Sequence, residues 1–281
     1  MSRLLGIEFS GALAHLTVVD RQAKVIARRH EVLVSPTTEW WASHPDERIR
    51  AAMGLLSEAV ADGLFRPADV AAIGLSSEPA LALVDADLDP IPPRDLPWGK
   101  SDEADALDPN AHRGAPWTAL EKLFRRDGRS MLRIGPILDL VGFLRFRLTG
   151  SLASEVDFAW EGGHIESPEH RAEWRMSSLE PIGILPSHLP PIFPTTQRVS
   201  VVGEDTITKT GLRRGTWVSA GGLPRNLRLL FAGEPTAENP RLLVGEEGVA
   251  LWRATEPPAE WSADTVPTVD EQIFFRREEE G

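Results

Sequence analysis

The first 34 residues constrain the fold of this chain more than any other stretch, because three apolar segments follow one another with only short turns between them. An apolar run at residues 4–7 meets a turn at residues 10–11, and a second apolar run occupies residues 13–19. A turn at residues 20–22 then leads into alternating residues 24–34. Apolar or alternating segments separated by turn residues are typical of antiparallel strands. The sequence therefore predicts a three-stranded meander.

Helix and strand patterns alternate after this meander. Apolar residues at helical spacing predict helices over residues 46–61 and 117–126, whereas short apolar runs predict buried strands over residues 70–76 and 81–85. Such alternation favours an α/β fold. We therefore expect a mixed sheet of about five main strands, the first three antiparallel, with helices on both faces.

Composition excludes several classes of function. The chain has 281 residues, of which 42% are hydrophobic and 26% charged, as expected of a protein with a sizeable buried core. A net charge of −12 argues against binding to nucleic acids or anionic membranes, which attract cationic surfaces. The absence of cysteine excludes disulfides and thiolate metal sites.

Two further observations bear on location. No apolar run approaches the roughly 20 residues that a membrane-spanning helix needs. Glu8 interrupts the first apolar segment, which argues against a signal peptide. We therefore expect a soluble, cytoplasmic protein that binds no membrane and no nucleic acid.

The first turn carries the first of several resemblances to a known family. Residues 6–15 read GIEFSGALAH, where the FGGY carbohydrate kinases, the family of xylulose, glycerol and gluconate kinases, usually read like GIDLGTSGVK. The resemblance implies the N-terminal domain of a ribonuclease-H-like, actin-like ATPase fold, in which this turn wraps the phosphates of ATP. Ser10 and Gly11 keep the frame of the turn, but most of its phosphate chemistry is gone.

A second resemblance concerns the sugar site. Residues 74–80 read GLSSEPA and are similar to the family pattern GIAGQMHG, whose Gln and His border the sugar. Glu78 stands near the Gln position, while Pro79 and Ala80 replace the Met-His pair. The resemblance makes Ser77 and Glu78 candidate ligand-binding residues, and the alternative is that both are ordinary turn residues.

Residues 91–100 resemble the family pattern RPxxLWxDxR. Trp98 matches the Trp, and Lys100 falls at or near the Asp that would hold sugar hydroxyls. Asp102 substitutes for that Asp only if the loop shifts. The lid that follows in the family is about half as long here, which weakens the case for catalysis because a lid excludes water from the site.

The most specific resemblance lies at residues 210–224, TGLRRGTWVSAGGLP, which is similar to TGLxxGTPVxxGGGDN. The family's Asp is the general base that takes the proton of the sugar hydroxyl. Pro224 stands at that position and has no proton-accepting side chain, so no catalytic residue is expected. Residues 137–155 also resemble the family, as a helix followed by a turn, and we expect Arg145 and Arg147 on its solvated face.

A second phosphate turn is similar to the family's SLGTSG and is again altered. It comprises Gly245, Glu246, Glu247 and Gly248. The two glutamates replace a hydroxyl-bearing pair, and each carboxylate close to a triphosphate would repel it by roughly 1–4 kcal/mol.

No metal site is expected. His164, Glu166 and His170 have a spacing that fits no strong zinc signature, and Pro168 interrupts the segment.

The resemblance divides the chain into residues 1–235, an FGGY-kinase-like N-terminal domain, and residues 236–281, a remnant hairpin of the second kinase domain with a charged tail. The strand over residues 242–252 would have an unpaired edge. Three elements could cover this edge: the chain's own tail through residues 273–275, a second copy of the protein, or a different partner. We expect a homodimer, the commonest oligomer.

The altered motifs predict a sugar-kinase-like protein without catalytic activity that binds a small polar ligand or a protein partner. No cofactor is expected. The alternative is a carbohydrate kinase or kinase subunit that phosphorylates a sugar or polyol with Mg-ATP, its C-terminal domain being supplied by a separate chain.

Overall fold

The computed structural model describes residues 2–33, 45–92, 115–126, 132–165, 173–224, 226–227, 249–254, 265–267 and 274–279. Its strands are β1 (Arg3–Ser10), β2 (Leu13–Val19), β3 (Val25–Val32), β4 (Val70–Ser77), β5 (Leu81–Leu83), β6 (Ile137–Asp139), β7 (Ser154–Glu155), β8 (Ile192–Phe193), β9 (Arg198–Val201), β10 (Trp217–Ser219), β11 (Val249–Ala254), β12 (Thr265–Pro267) and β13 (Phe274–Glu279). Its helices are α1 (Pro45–Ala61), α2 (Ala115–Arg126), α3 (Leu140–Thr149), α4 (Val156–Glu161), α5 (Met176–Leu179) and α6 (Glu204–Thr210).

The central sheet is mixed and has six strands in the order β3-β2-β1-β4-β10-β9. The first three strands form the expected antiparallel meander. Strand β4 is parallel to β1 on one side and to β10 on the other, and β9 is antiparallel to β10. The predicted α/β fold with a mixed sheet is therefore confirmed.

The main hydrophobic core lies on one face of this sheet. Leu5, Ile7 and Phe9 alternate along β1 and are buried, as are Leu16 and Val18 on β2. Because alternate side chains of a strand point to the same face, these residues face one helical layer, in which α1, α3 and α6 contact one another.

The opposite face of the sheet is partly exposed where the structure describes it. Leu4 on β1 is 39% exposed, and Trp217 on β10 is also 39% exposed. Gly74 on β4 is exposed as well. Among the described helices, the layer that covers the sheet is the one formed by α1, α3 and α6.

A second hydrophobic core lies beside the sheet. The antiparallel strand pair of β5 and β6 packs with α2 around buried Trp117. Phe158 on α4 stacks against Trp117 with ring centroids 4.8 Å apart, and the indole N–H of Trp117 donates to the carbonyl of Phe158 at 2.8 Å. The residues around Trp117 therefore form a hydrophobic core separate from the main core of the central sheet.

The C-terminal strands form a separate three-stranded sheet in the order β11-β13-β12. Strand β11 pairs with β13 from Val249 opposite Glu279 to Ala254 opposite Phe274. The chain's own tail is thus the cover observed for one edge of this strand, and the homodimer stays a prediction. Within the described ranges, no helix is long and apolar enough to cross a membrane.

Candidate functional site

The parallel pairing of β1 and β4 brings two predicted site segments together. Phe9 on β1 lies opposite Ser77 on β4, so both strands end at the same edge of the sheet. Ligand sites of α/β sheets lie at the carboxyl ends of their strands. Ser10 and Gly11, predicted from the first turn, therefore lie beside Ser77 and Glu78, predicted from the sugar segment.

The first turn, residues 10–12, holds a carboxylate. The amide of Gly11 donates a hydrogen bond to Glu78 Oε2 at 3.3 Å, and the amide of Glu78 donates to the carbonyl of Phe9 at 3.3 Å. Gly11 has a φ of +53°, a conformation that glycine adopts at low cost. A side chain of the protein thus already accepts a hydrogen bond from the amide of this turn.

Arg48 completes the first turn from the start of α1. Its side chain is buried, its Nη2 donates to the carbonyl of Gly11 at 3.4 Å, and its guanidinium lies 5.9 Å from the ring centre of Phe9. Burial lowers the pKa of Arg48, and the carboxylates of Glu78 and Glu47 oppose that shift. Arg48 and Glu78 therefore both contact Gly11, and the charge of Glu78 favours the charged form of Arg48.

Sequence reasoning missed Arg48, although a signal was present. Arg48, Ala52, Leu55 and Ala59 are all buried on α1 and follow one another at helical spacing. An arginine in the apolar stripe of a helix indicates a buried partner, because a charge rarely enters a core without one.

Ser77 is buried, but its hydroxyl is directed at the backbone. Its Oγ donates to the carbonyl of Glu78 at 2.7 Å. The contact orients the end of β4 and leaves the oxygen of Ser77 only as an acceptor for a ligand.

The base loop, residues 220–224, lies at the same edge of the sheet. Gly222 forms a parallel bridge with Ser76, and its amide donates to the carbonyl of Leu75 at 3.2 Å. A Cβ atom at residue 222 would lie 2.5 Å from Thr195 Cγ2 and 2.6 Å from Asp157 Oδ2. The loop is therefore tightly packed where the family carries its general base.

Asp157 fixes the chain just before Pro224. Its Oδ2 accepts a hydrogen bond from the amide of Leu223 at 3.0 Å, and its side chain is buried. Pro224 itself is half-buried. The structure thus binds the backbone just before Pro224 to a buried carboxylate.

A buried charged cluster supports the base loop. Arg145 is 0% exposed and donates to the carbonyls of Ala220 and Ala153. The predicted solvated position of Arg145 is wrong, because these two carbonyls and the surrounding carboxylates satisfy its charge inside the protein. Arg147, two residues later, is exposed as expected. The carboxylates of the cluster are those of Asp139, Glu155 and Asp157.

The pKa values of two carboxyl groups in this cluster are raised, chiefly because the groups are buried. Burial, followed by the charges of Asp157 and Asp139, raises the pKa of Glu155 well above its usual range. Burial also raises the pKa of Asp139, although Arg145 acts against it. Two carboxylates cap helices, Asp139 accepting from the amide of Gly142 at 2.8 Å and Glu155 from that of Phe158 at 2.9 Å. Sequence reasoning did not select these acids as site residues.

Several predicted residues lie outside the described residues. The ligand candidates in this group are Trp98, Lys100 and Asp102, and those of the second phosphate turn are Gly245, Glu246, Glu247 and Gly248. Of the three residues considered for a metal, Glu166 and His170 also lie outside. His164 is buried, contacts Ser178 Oγ through Nδ1 at 3.0 Å and packs on Trp117 at 4.6 Å between ring centroids.

Comparisons with known proteins concern the fold of the chain. No protein-family model matches the sequence, and no curated protein matches it. A solved xylulose kinase from Rhodospirillum rubrum has 20% sequence identity and a TM-score of 0.77 over 98% of this chain and 60% of its own. The gluconate kinase from Lactobacillus acidophilus has 16% identity and a TM-score of 0.76 over 98% of this chain and 59% of its own.

A third solved structure, the glycerol kinase of Plasmodium falciparum with ADP, has 12% identity and a TM-score of 0.73 over 99% of this chain and 60% of its own. The chain therefore spans about 60% of the length of these kinases, which is consistent with an N-terminal domain. At this identity the likeness concerns the fold. The chain has the fold of the actin-like carbohydrate kinases of xylulose, gluconate and glycerol, as its sequence resemblance predicted.

Proposed function

We propose that this protein is a sugar-kinase-like protein without phosphotransfer activity that binds a small polar ligand. The observation that carries the proposal is the base loop, where Pro224 stands at the position of the family's base. The carboxylate of Asp157 accepts a hydrogen bond from the amide of the preceding residue, Leu223. A positioned general base raises the rate of a reaction by about 10²–10⁴. Without one, phosphotransfer to a bound sugar would be slower by about that factor.

The first turn supports the same proposal independently. A phosphate chain needs free backbone amides and cationic neighbours. Here the amide of Gly11 faces the carboxylate of Glu78, which repels phosphate oxygens. We therefore expect no Mg-ATP binding at the roughly millimolar concentrations of a cell and no cofactor.

Polar atoms near the base loop support a ligand. Thr195 is 1% exposed, and among the described residues its Oγ1 has no hydrogen-bond partner. The side-chain amide of Asn226, two residues after Pro224, is also buried without a described partner. Buried polar groups are normally hydrogen-bonded, so unpaired ones indicate a missing water or ligand. A hydroxyl-bearing ligand would supply both donors and acceptors.

The fold favours a second candidate, a carbohydrate kinase or kinase subunit whose remaining domain comes from a separate chain. The similarity to solved kinases at TM-scores up to 0.77 supports it. Under this alternative Mg-ATP is the cosubstrate and a sugar or polyol is the acceptor.

Two measurements test the proposal. Calorimetry with Mg-ATP, and a phosphotransfer assay with xylulose, gluconate and glycerol, should both give no signal for the natural protein, with an active xylulose kinase as positive control. The Pro224→Asp variant should also stay inactive, because the first turn is unchanged. A micromolar dissociation constant for Mg-ATP or turnover of any of these acceptors would establish the kinase alternative instead.

A thermal-shift screen of sugars, polyols and nucleotides tests the ligand. A compound that raises the melting temperature of the natural protein should lose its effect in Thr195→Val, which keeps the shape of the side chain and removes its hydroxyl. Thr208→Val is the matched control, since Thr208 lies exposed on α6. A screen without any stabilising compound would contradict the ligand-binding part of the proposal.

A further inference from the structure

A pair of histidines lies on the outer face of the central sheet, opposite its main core. His15 on β2 is directly opposite His30 on β3 in the antiparallel register of the two strands. Ala14 and Leu16, the neighbours of His15, are buried in the core, and successive side chains of a strand point to opposite faces. Both imidazoles therefore lie on the face that is turned away from the core, where His15 is half-buried and His30 is exposed.

The two rings are close enough to share a ligand. Their centroids are 6.2 Å apart, and their planes are inclined by 43°. A Zn–N bond is about 2.0–2.1 Å long, so two imidazoles on one ion have ring centres roughly 5 Å apart. Directly opposite side chains of an antiparallel pair have Cβ atoms about 4.5–5.5 Å apart. A small change in side-chain torsion therefore brings the rings to the separation that a shared ion needs.

The charges that border the pair do not by themselves attract a cation. Glu8 on β1 lies opposite His15 on its other side, and Arg28 is exposed at the preceding outward position of β3. These two formal charges offset each other, so binding depends on imidazole nitrogen as a ligand. Imidazole suits Zn²⁺, Cu²⁺ and Ni²⁺, whereas Mg²⁺ and Ca²⁺ prefer oxygen.

We propose that His15 and His30 form a two-histidine binding site for a transition-metal dication of the Zn²⁺, Cu²⁺ and Ni²⁺ class. The described residues contain no group of three or more His, Asp or Glu side chains that could hold a metal ion. The protein therefore supplies two ligands, and water completes the coordination. Sequence spacing does not reveal this site, because only the register of β2 and β3 brings the two histidines together. The inference does not rest on the proposed function.

A bound ion would fasten an edge of the central sheet. Strand β3 is the last strand of that sheet on its side, and β2 is its described neighbour. An ion that joins the two strands binds the folded chain in preference to the unfolded one, so it stabilises the fold by mass action. The melting temperature of the natural protein should therefore rise with the concentration of ZnCl₂.

Calorimetry with ZnCl₂ and NiCl₂ tests the inference on the full chain without a histidine tag, at about pH 7.5, because a metal ion binds imidazole in its neutral form. His15→Gln and His30→Gln should each weaken binding at least about tenfold, since loss of a residue that only hydrogen-bonds a metal ligand already costs about 10–100-fold in affinity. The matched control is His188→Gln, whose ring lies against Phe124 and not against a second histidine. It should bind like the natural protein.

A double variant distinguishes one shared ion from two independent ones. If both rings hold the same ion, the protein with His15→Gln and His30→Gln together should bind no more weakly than either single variant. Because His30 is exposed on an edge strand, His30→Gln should stay folded by circular dichroism. It decides the question alone if His15→Gln is unfolded, and its melting temperature should not respond to ZnCl₂.

The inference is overturned if the natural protein binds neither metal, or if the single variants bind as tightly as His188→Gln. Losses that add in the double variant would also overturn it, because they indicate two separate ions. Displacement of bound zinc by MgCl₂ would do the same, since it would assign the ion to oxygen ligands.

Discussion

The first turn and the base loop lie at the same edge of the sheet, yet they differ in how their backbone is held. At the first turn, one exposed side chain, Glu78, accepts a hydrogen bond from the amide of Gly11. At the base loop, Arg145 and Asp157 bind the backbone from the core, on either side of Gly221 and Gly222.

Gly11 in the first turn and Gly221 in the base loop show the same contrast. A Cβ atom at Gly11 would meet nothing within 4 Å, whereas one at Gly221 would lie 2.5 Å from Val141 Cγ1 and 2.9 Å from the carbonyl oxygen of Leu75. The turn is thus open to substitution, while the loop is constrained by its neighbours. We infer that the first turn can be altered without unfolding the protein and that the base loop cannot.

The largest effect is expected from Arg145→Met. The substitution leaves the buried carboxylates of Asp139 and Glu155 without their cation, so the free energy of unfolding should fall by about 3–5 kcal/mol. Urea denaturation measures it. Arg147→Met on the same helix is the control, and its loss should be under about 1 kcal/mol because Arg147 is exposed and its guanidinium lies over the ring of Phe143. Equal losses in the two variants would show that the cluster contributes nothing particular to stability.

A smaller effect is expected from Gly221→Ala. Its φ of +86° is unfavourable for alanine, and the new Cβ would overlap Val141, so the loss should be about 3 kcal/mol. Gly11→Ala, with a φ of +53° and open space, should lose about 1 kcal/mol. Denaturation of both variants tests the contrast directly. A Gly11→Ala variant as unstable as Gly221→Ala would mean that the two regions are equally constrained.

The smallest effect concerns pH. Because the pKa of Glu155 is raised in the folded protein, the folded state retains a proton that the unfolded chain releases above about pH 4.5. The contribution of this carboxyl to stability is therefore present at lower pH and is lost as the pH rises toward its folded pKa. The slope from one such group is at most about 1.4 kcal/mol per pH unit.

Glu155→Gln isolates this contribution, since its amide stays neutral and its oxygen still accepts from Phe158. Urea denaturation between about pH 5 and pH 8 should show a smaller decline for Glu155→Gln than for the natural protein. Glu58→Gln, at an exposed position, should follow the natural protein. Parallel curves for all three proteins would rule out a buried proton on Glu155.

Sequence patterns predicted the fold better than the site, for a physical reason. The meander of β1, β2 and β3 depends on local alternation and short turns, which one stretch of sequence contains. The site depends on distant pairings: Gly11 meets Glu78 only through the parallel register of β1 and β4. Arg145 is buried because the carbonyl of Ala220, 75 residues away, accepts from it. Helical periodicity alone does not reveal such a partner.

At Pro224, a motif aligned by its glycines predicts that the family's base is missing, and this stays a prediction. The structure places Gly222 in a parallel bridge with Ser76 of β4. The motif gave no sign that Asp157 would bind the amide next to it, because that contact joins residues 66 positions apart.

The strand order has a consequence for synthesis of the protein on the ribosome. Strand β4 pairs with β1 early in the chain, but its other edge pairs only with β10, through Trp217 opposite Ala72. At about 5–20 residues per second, the intervening chain of about 140 residues takes roughly 7 to 28 seconds to make. During that interval the edge of β4 that later pairs with β10 has no partner strand. Ile73, which is buried in the folded protein, lies on this strand. Ribosome-bound chains ending after residue 92 should therefore be cleaved by protease within β4, and chains that have released residue 219 should resist.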